Sequence, residues 1–445
     1  MLRDLAERLV DAARKAGADQ ADALALSGRS VSIDVRAGAL EQAERAEGVE
    51  IGLRVLIGGR QACVSGSDHG DGAIGEMAAR AVAMAREAPV DDSLGLAEPA
   101  QLTARRDAAG LELADTGPDP APAALQDMAL RAEAAALSRP GISQVEAASA
   151  AFVRRQIWTA ASNGFSGGYE RTTHAISAVA ITGEGLGMER DYATESRVWA
   201  ADLPEPEEIG LLAADRTLAR AGSRKPPTGA FPILYDRRVA ASLIGHLLSA
   251  VNGAAIVRGA SWLRKAMDQP VLPEGMDLTE DPLRPRYPSS RPFDAEGLAT
   301  RPRRIVADGV LRGWTLDLAT GRKLGMDSTG SAARGLASAP SPVVSNVILT
   351  PGGRSQQDLI AGMGRGLVVT SMLGASVNDT TGDYSRGAAG FWVENGRIAF
   401  PVNECTIAGN LRDMLATLIA ANDALPWRGA EVPSLLVGGM TVAGA

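Results

Sequence analysis

The 445-residue chain is poor in the side chains that carry most metal and nucleophile chemistry: it has three histidines (His69, His174, His246) and two cysteines (Cys63, Cys405). Apart from Cys63 and His69, six residues apart, no two of these five lie close together, so no zinc-finger or H-E-x-x-H site can be written from it. Two cysteines hundreds of residues apart form no disulfide framework, which fits reduced thiols in a cytosolic protein. Met1-Leu2-Arg3-Asp4 opens directly into an amphipathic pattern without the apolar core of a signal peptide. Aromatic residues make up only 4% of the chain, no Lys/Arg run exceeds two, and the formal charge is −8. Nucleic acid is excluded as the main partner, because a grip on phosphate needs a basic face.

Long apolar runs are also scarce. Val239 to Val257 carries no formal charge and meets the length criterion for a membrane span. Ser242, His246, Ser249 and Asn252 interrupt it, however, and Val239, Ala240, Leu243, Ile244, Leu247, Leu248 and Val251 recur at i, i+3/i+4, i+7. That spacing predicts a one-sided helix buried in a soluble domain, with no membrane partner.

Helical spacing over residues 2–16 ends at Gly17, and alternating strands around Val31–Val35 and Val49–Ile57 follow. A helix is predicted over 71–87, a long Pro/Asp/Gly-rich surface loop from Asp91 to Pro122, and a third helix over Ala123–Leu137. Strands Val145–Ala161 and Tyr169–Thr182 flank the turn Asn163-Gly164, and a helix spans Glu205–Ala221. Arg224-Lys225-Pro226-Pro227 reads as a boundary, since the prolines block helix continuation. The expected fold is α+β: residues 1–222 form an α+β domain with an antiparallel sheet, 223–228 a linker, and 229–445 a β-rich, barrel-like domain with a few helices. One of those helices is expected over Glu404–Asn422.

Gly164-Phe165-Ser166-Gly167-Gly168 matches G-x-S-x-G, which would make Ser166 an acyl-transfer nucleophile. That chemistry needs a strand, a sharp turn and a helix, whereas period-2 alternation of Ile176, Ala178, Ala180 and Thr182 predicts a second strand and hence a hairpin. The glycine-rich strings at 183–187 and 362–366 open no helix that could cradle phosphate. His246 lies about 20° from Val239 around the helix, at the border of the apolar stripe. No His, Asp or Glu stands three to five residues from it, and Asp236 is expected to cap the helix. Asp294 and Glu296, two apart in an extended segment, share a face and form a candidate acid–base pair, or else a charged loop after the proline-rich stretch 282–292.

The order of motifs resembles the TldD/PmbA family. The resemblance rests on Phe231–Val251, Gly259-Ala260-Ser261, Asp281-Pro282, Phe293-Asp294-Ala295-Glu296-Gly297 and Ser328-Thr329-Gly330. It continues through Ser345-Asn346, Pro351-Gly352, Thr381-Gly382-Asp383-Tyr384-Ser385, Glu394-Asn395-Gly396, Pro401-Val402 and Cys405 to Leu411. One branch of that family carries H-E-x-x-x-H on the helix that begins the C-terminal domain, with a cysteine ligand near the C-terminus. Aligned on it, His246 is the single retained ligand-type position, Ala241 and Ser242 replace the first histidine and the glutamate, and Trp427–Gly439 lacks the cysteine. Histidines five apart would stand about 140° apart on a regular helix, so a zinc-bearing relative has to distort that turn. The resemblance therefore implies the PmbA/TldE-like branch: a metal-free, non-catalytic subunit, with no catalytic or metal-binding residue of its own. Its expected partner is a TldD-type zinc peptidase subunit, or a second copy of itself, in a cytosolic complex acting on unfolded peptides or peptide precursors. His246, Asp294 and Glu296 are the expected chamber-lining or peptide-binding residues. The alternatives are a stand-alone metallopeptidase using His246 with Asp294 or Glu296, a serine hydrolase using Ser166, or a non-enzymatic peptide-binding or gyrase-modulating protein.

Overall fold

A computed structural model describes residues 1–444. The chain is mixed α+β, as expected. Its N-terminal half runs α1 (Leu2–Lys15), β1 (Gln20–Arg36), β2 (Ala39–Ile57), β3 (Arg60–Gly66), α2 (Asp71–Glu87), α3 (Pro122–Leu137), β4 (Ile142–Ala161), β5 (Ser166–Thr182), β6 (Glu189–Arg197) and α4 (Pro206–Ala219). The six strands form one antiparallel sheet in the order β3-β2-β1-β4-β5-β6.

Strand parity sorts the two faces of this sheet. On β1 the odd positions Ala21, Ala23 and Ala25 pack with α1 and α2, while Ile33 and Val35 pack with α3 and α4. Both helix pairs therefore lie on one face, and the even positions, Asp22 among them, point to the other. That second face meets the C-terminal half: Phe293 packs edge-on against Phe165 and Tyr169, at 5.0 and 5.7 Å between centroids.

The C-terminal half adds β7 (Gly229–Tyr235), α5 (Arg237–Ala250), α6 (Gly253–Val257), β8 (Leu278–Glu280), β9 (Arg303–Ala307), β10 (Val310–Leu311), α7 (Leu318–Leu324), β11 (Ala332–Ala333), β12 (Ser341–Pro342) and β13 (Val347–Leu349). It ends with α8 (Gln356–Met363), β14 (Gly366–Val377), β15 (Asp383–Glu394), β16 (Arg397–Asn410), α9 (Leu411–Ala416), β17 (Ile419–Ala420), β18 (Ala430–Glu431) and β19 (Leu435–Ala443). Pairing runs β16-β15-β14-β7-β19, and β19 pairs back onto β16 at Thr406–Ala408, which closes a five-stranded barrel. Alternate residues fill its two sides. Ile233, Tyr235, Leu367, Val369, Leu435 and Val437 join the main core with the apolar stripe of α5, whereas Leu234, Val368 and Leu436 pack outward with Leu359 of α8.

The expected one-sided helix ends at Ala250, and Asn252 opens a second, short one by accepting from the Ala254 amide at 3.0 Å. Among the described residues no helix is long and apolar enough to cross a membrane. The helix expected over Glu404–Asn422 is strand as far as Asn410, with only Leu411–Ala416 helical. Val402, Cys405 and Ile407 point into the core on either side of an irregularity at Glu404, whose φ of +48° breaks the plain alternation and hid the strand.

The loop Asp91–Pro122 is a strap across the two halves. Arg322, in the last turn of α7, donates to the carbonyls of Ser93 (2.9 Å), Gly95 (3.1 Å) and Leu96 (2.9 Å). Thr103 N–H donates to Gly297 at 3.0 Å.

Candidate functional site

Helix α5 carries the aligned ligand positions. Asp236 caps it as predicted, its carboxylate accepting from the Arg238 amide at 2.9 Å, and Ala240, Leu243, Ile244 and Leu247 form its buried stripe. Ala241 leaves that stripe about 140° around the helix from His246, while Ser242 and His246, one turn apart, share a face. Ala241 lines a cleft of about 540 Å³ facing Tyr192, Glu195 and Leu212 of the N-terminal half and Arg428 of the C-terminal half. Ser242 donates its hydroxyl to the Val239 carbonyl at 2.7 Å, a bond within its own helix. His246 packs edge-on against Tyr384 of β15, 5.7 Å between ring centroids. Its Nε2 is buried with no hydrogen-bond partner among the described residues. Burial and, next, the nearby Arg386 charge hold the His246 pKa below its ordinary value, against the pull of Asp379.

This donor set does not fit a catalytic zinc. One imidazole, a methyl group and a hydroxyl bound to its own backbone supply one ligand where three are needed. Cys405 cannot add a second: it is buried in β16, donates to the Ala388 carbonyl at 3.1 Å, and burial pushes its thiol up to about 11. Among the described residues no three His, Cys, Asp or Glu side chains gather into a metal-binding group.

Asp294 and Glu296 lie elsewhere, at the junction between the halves. Both are buried, at 2% and 9% exposure. Asp294 Oδ1 accepts from the amides of Glu296 and Leu298, each at 2.9 Å, and Oδ2 accepts from Ala332 N–H at 3.1 Å. Glu296 Oε2 accepts from the Leu318 amide at 2.9 Å, in the first turn of α7, beside the cap formed by Asp317. Burial raises both carboxyl pKa values, and the proximity of Asp294 raises that of Glu296 further. Among the described residues no hydrogen bond, ion pair or ring contact joins the pair to His246, so the structure does not unite the three residues into one site.

Sequence reasoning missed the charges around this pair. Asp22 and Arg54 are cross-strand partners on the face of β1 and β2 turned toward the C-terminal half, joined at 2.6 Å with side chains 2% and 4% exposed. Arg334, from the loop after β11, completes a buried ion triad by contacting the other oxygen of Asp22. Burial pulls the Arg334 pKa down to about 10. Arg54 also feels the charges of Glu296, Cys63 and Asp317. A signal was available, since Asp22 and Arg54 are charges set inside otherwise apolar strand runs.

Ser166 does not stand on a strand-turn-helix elbow. It opens strand β5 rather than a helix, donates to Glu7 at 2.9 Å and accepts from the Trp158 indole at 3.1 Å. His174 instead neighbours Phe152 (4.9 Å) and Asp115 (3.4 Å).

The fold thus defines a class: a helix-backed sheet joined across a buried charged junction to a closed β-barrel. Three family domains match in order, PmbA/TldA metallopeptidase domain 1 over residues 21–85, the central domain over 115–221 and the C-terminal domain over 228–444. The chain is 35% identical to the metalloprotease PmbA of Escherichia coli O157:H7, covering 93% of this chain and 90% of that one. It is 34% identical to a PmbA homologue of Haemophilus influenzae, covering 100% and 96%. A candidate modulator of DNA gyrase from Bacteroides thetaiotaomicron superposes with a TM-score of 0.91 at 27% identity, covering 99% and 98%. TldE from Thermococcus kodakarensis shares the fold, with a TM-score of 0.86 at 19% identity over 99% and 100%. This chain belongs to the PmbA/TldD family.

Proposed function

We propose that this chain is the PmbA/TldE-type subunit of a cytosolic zinc metallopeptidase complex, metal-free and non-catalytic, with the zinc on a TldD-type partner. The observation that carries this reading is the shortage of donors on α5: Ala241 offers a methyl group to a cleft, the Ser242 hydroxyl is bound to its own helix backbone, and His246 is left alone against Tyr384. A water activated by zinc needs a fixed set of ligands and a base beside it, and neither can be assembled there. The naming of the E. coli and H. influenzae relatives as metalloproteases supports the reaction class.

In this reading the subunit supplies wall and backbone contacts for unfolded peptide. The free outer edge of β2 supports that role: β3 pairs with β2 only from Ile51 onward, and residues 40–48 are exposed. An extended peptide added along that edge would be held by backbone bonds with little demand on its sequence.

The test mixes the purified chain with a TldD-type zinc subunit and an unstructured peptide. Chelator-sensitive cleavage is expected only when both subunits are present, with zinc retained on the partner. Chelator-sensitive cleavage by the isolated chain would overturn the assignment and restore the stand-alone metallopeptidase.

A further inference from the structure

Beyond α6 the chain makes a tight turn at Ser261, whose hydroxyl donates to the Ala250 carbonyl at 2.6 Å and accepts from the Leu263 amide at 3.0 Å. The Trp262 amide donates to the Asp379 carbonyl at 2.7 Å. These bonds fix Trp262, Leu263, Ala266 and Val271 as the apolar floor of a cavity of about 420 Å³. That volume lies within the range of small-molecule sites.

Three cations, Arg264, Lys265 and Arg412, line the same cavity, and no acidic residue does. Arg412 is held in place by donating to the Trp262 carbonyl, with its guanidinium 5.6 Å from the Trp262 ring centroid. The neighbouring Asp268 is engaged by Arg312 at 3.1 Å. Arg264 and Lys265 have no ion-pair partner among the described residues. In a chain of net charge −8, three uncompensated cations over an apolar floor form a site for an anion that carries an apolar body. The planar guanidinium of Arg412 matches a carboxylate, and the floor disfavours a compact, strongly hydrated phosphate.

We propose that this cavity binds an apolar carboxylate, and that the C-terminal residue of a peptide is its source; the choice of source rests on the function proposed above. The test is calorimetry on the full-length chain without any partner subunit. The probes are a short peptide ending in leucine with a free carboxylate, the same peptide as its C-terminal amide, and decanoate. Saturable binding of the free acid is expected, with the amide about tenfold weaker or more. Arg412→Gln and the double variant Arg264→Glu/Lys265→Glu are expected to weaken it by a similar factor, with melting temperatures confirming that both fold. The affinity is expected to fall as salt rises.

Binding of decanoate without the peptide acid would keep the site and overturn the peptide source. Equal binding of acid and amide, no saturable binding of any probe, or indifference to both variants would overturn the site itself. Because no zinc subunit or cleavage is involved, failure here is distinguishable from failure of the proteolytic complex.

Discussion

The α5 neighbourhood and the 294–296 junction both hold residues that the sequence marks as candidates for chemistry, and they meet opposite fates in the fold. On α5, three positions that a zinc-bearing relative would aim at one point are spread over a cleft, a helix backbone and an aromatic ring. At the junction every carboxylate is engaged: Asp294 by three amides, Glu296 by the start of α7, and Asp22 by two arginines. Carboxylates held by backbone donors and by fixed cations position chain segments. The difference teaches that a paired-carboxylate motif can belong to architecture, while a lone histidine beside alanine and serine leaves α5 one donor where a catalytic zinc needs three.

The strongest way to break this contrast is to unpair the junction. Asp22→Ala leaves Arg54 and Arg334 buried without their counter-ion, and is expected to cost about 3–5 kcal/mol in denaturant unfolding. A loss below about 1 kcal/mol would show that water reaches the triad. Gly52→Ala tests the same seam without charge. A Cβ at Gly52 would lie 2.2 Å from the Leu336 carbonyl, so the loop after β11 must retreat from β2, at about 1–3 kcal/mol. Unchanged stability would mean that the two halves do not approach as closely as described.

A smaller effect is expected from pH. Glu296 holds its proton to higher pH in the folded chain than its ordinary 4.5, chiefly because of burial. Folding therefore takes up a proton above that value. The stability this group contributes is complete below pH 4.5 and is lost as pH rises toward the folded pKa. Glu296→Gln can still accept from Leu318 N–H but has no proton to lose. The difference in stability, variant minus wild type, should grow in the variant's favour from pH 5 to pH 8. Asp294 is coupled to Glu296 by their proximity, so Gln at 296 also removes a like-charged neighbour from Asp294, which adds to the difference with the same sign, whereas the buried histidines cancel. A flat difference across that range would place an ionised Glu296 in the folded chain at all pH values tested.

Much of this fold was legible because period-2 and period-3.6 patterns report burial directly: the α5 stripe, its Asp236 cap and the β4–β5 hairpin all follow from local spacing. Two kinds of feature were not legible. The part of β16 beyond Val402 was hidden by a bulge at Glu404, where one residue out of phase makes a strand resemble a helix. The ion triad draws Asp22, Arg54 and Arg334 from segments far apart in the chain, and no local pattern encodes which distant charge will meet which. The candidate site was legible as positions on α5, and the helical repeat already sets 241 and 246 about 140° apart; what each side chain meets was not legible, since Tyr192 and Glu195 reach the cleft beside Ala241 from the N-terminal half.

The smallest expected effect bears on the other side of the comparison. If α5 retains no metal function, His246 is an edge residue with an unbonded buried nitrogen, and removing that nitrogen should relieve rather than weaken the fold. His246→Leu keeps an apolar contact with Tyr384 and abolishes an unsatisfied polar atom, so its stability at pH 7 is expected to lie within about 1 kcal/mol of wild type and on the stabilising side. The complementary change, Ala241→His with Ser242→Glu, restores the family letters without restoring convergence or a third ligand. Elemental analysis of that variant is expected to find zinc far below one per chain. Near-stoichiometric zinc would mean that α5 can distort enough to bring positions 241 and 246 together, and that the missing chemistry was lost through side chains alone and not through the surrounding fold.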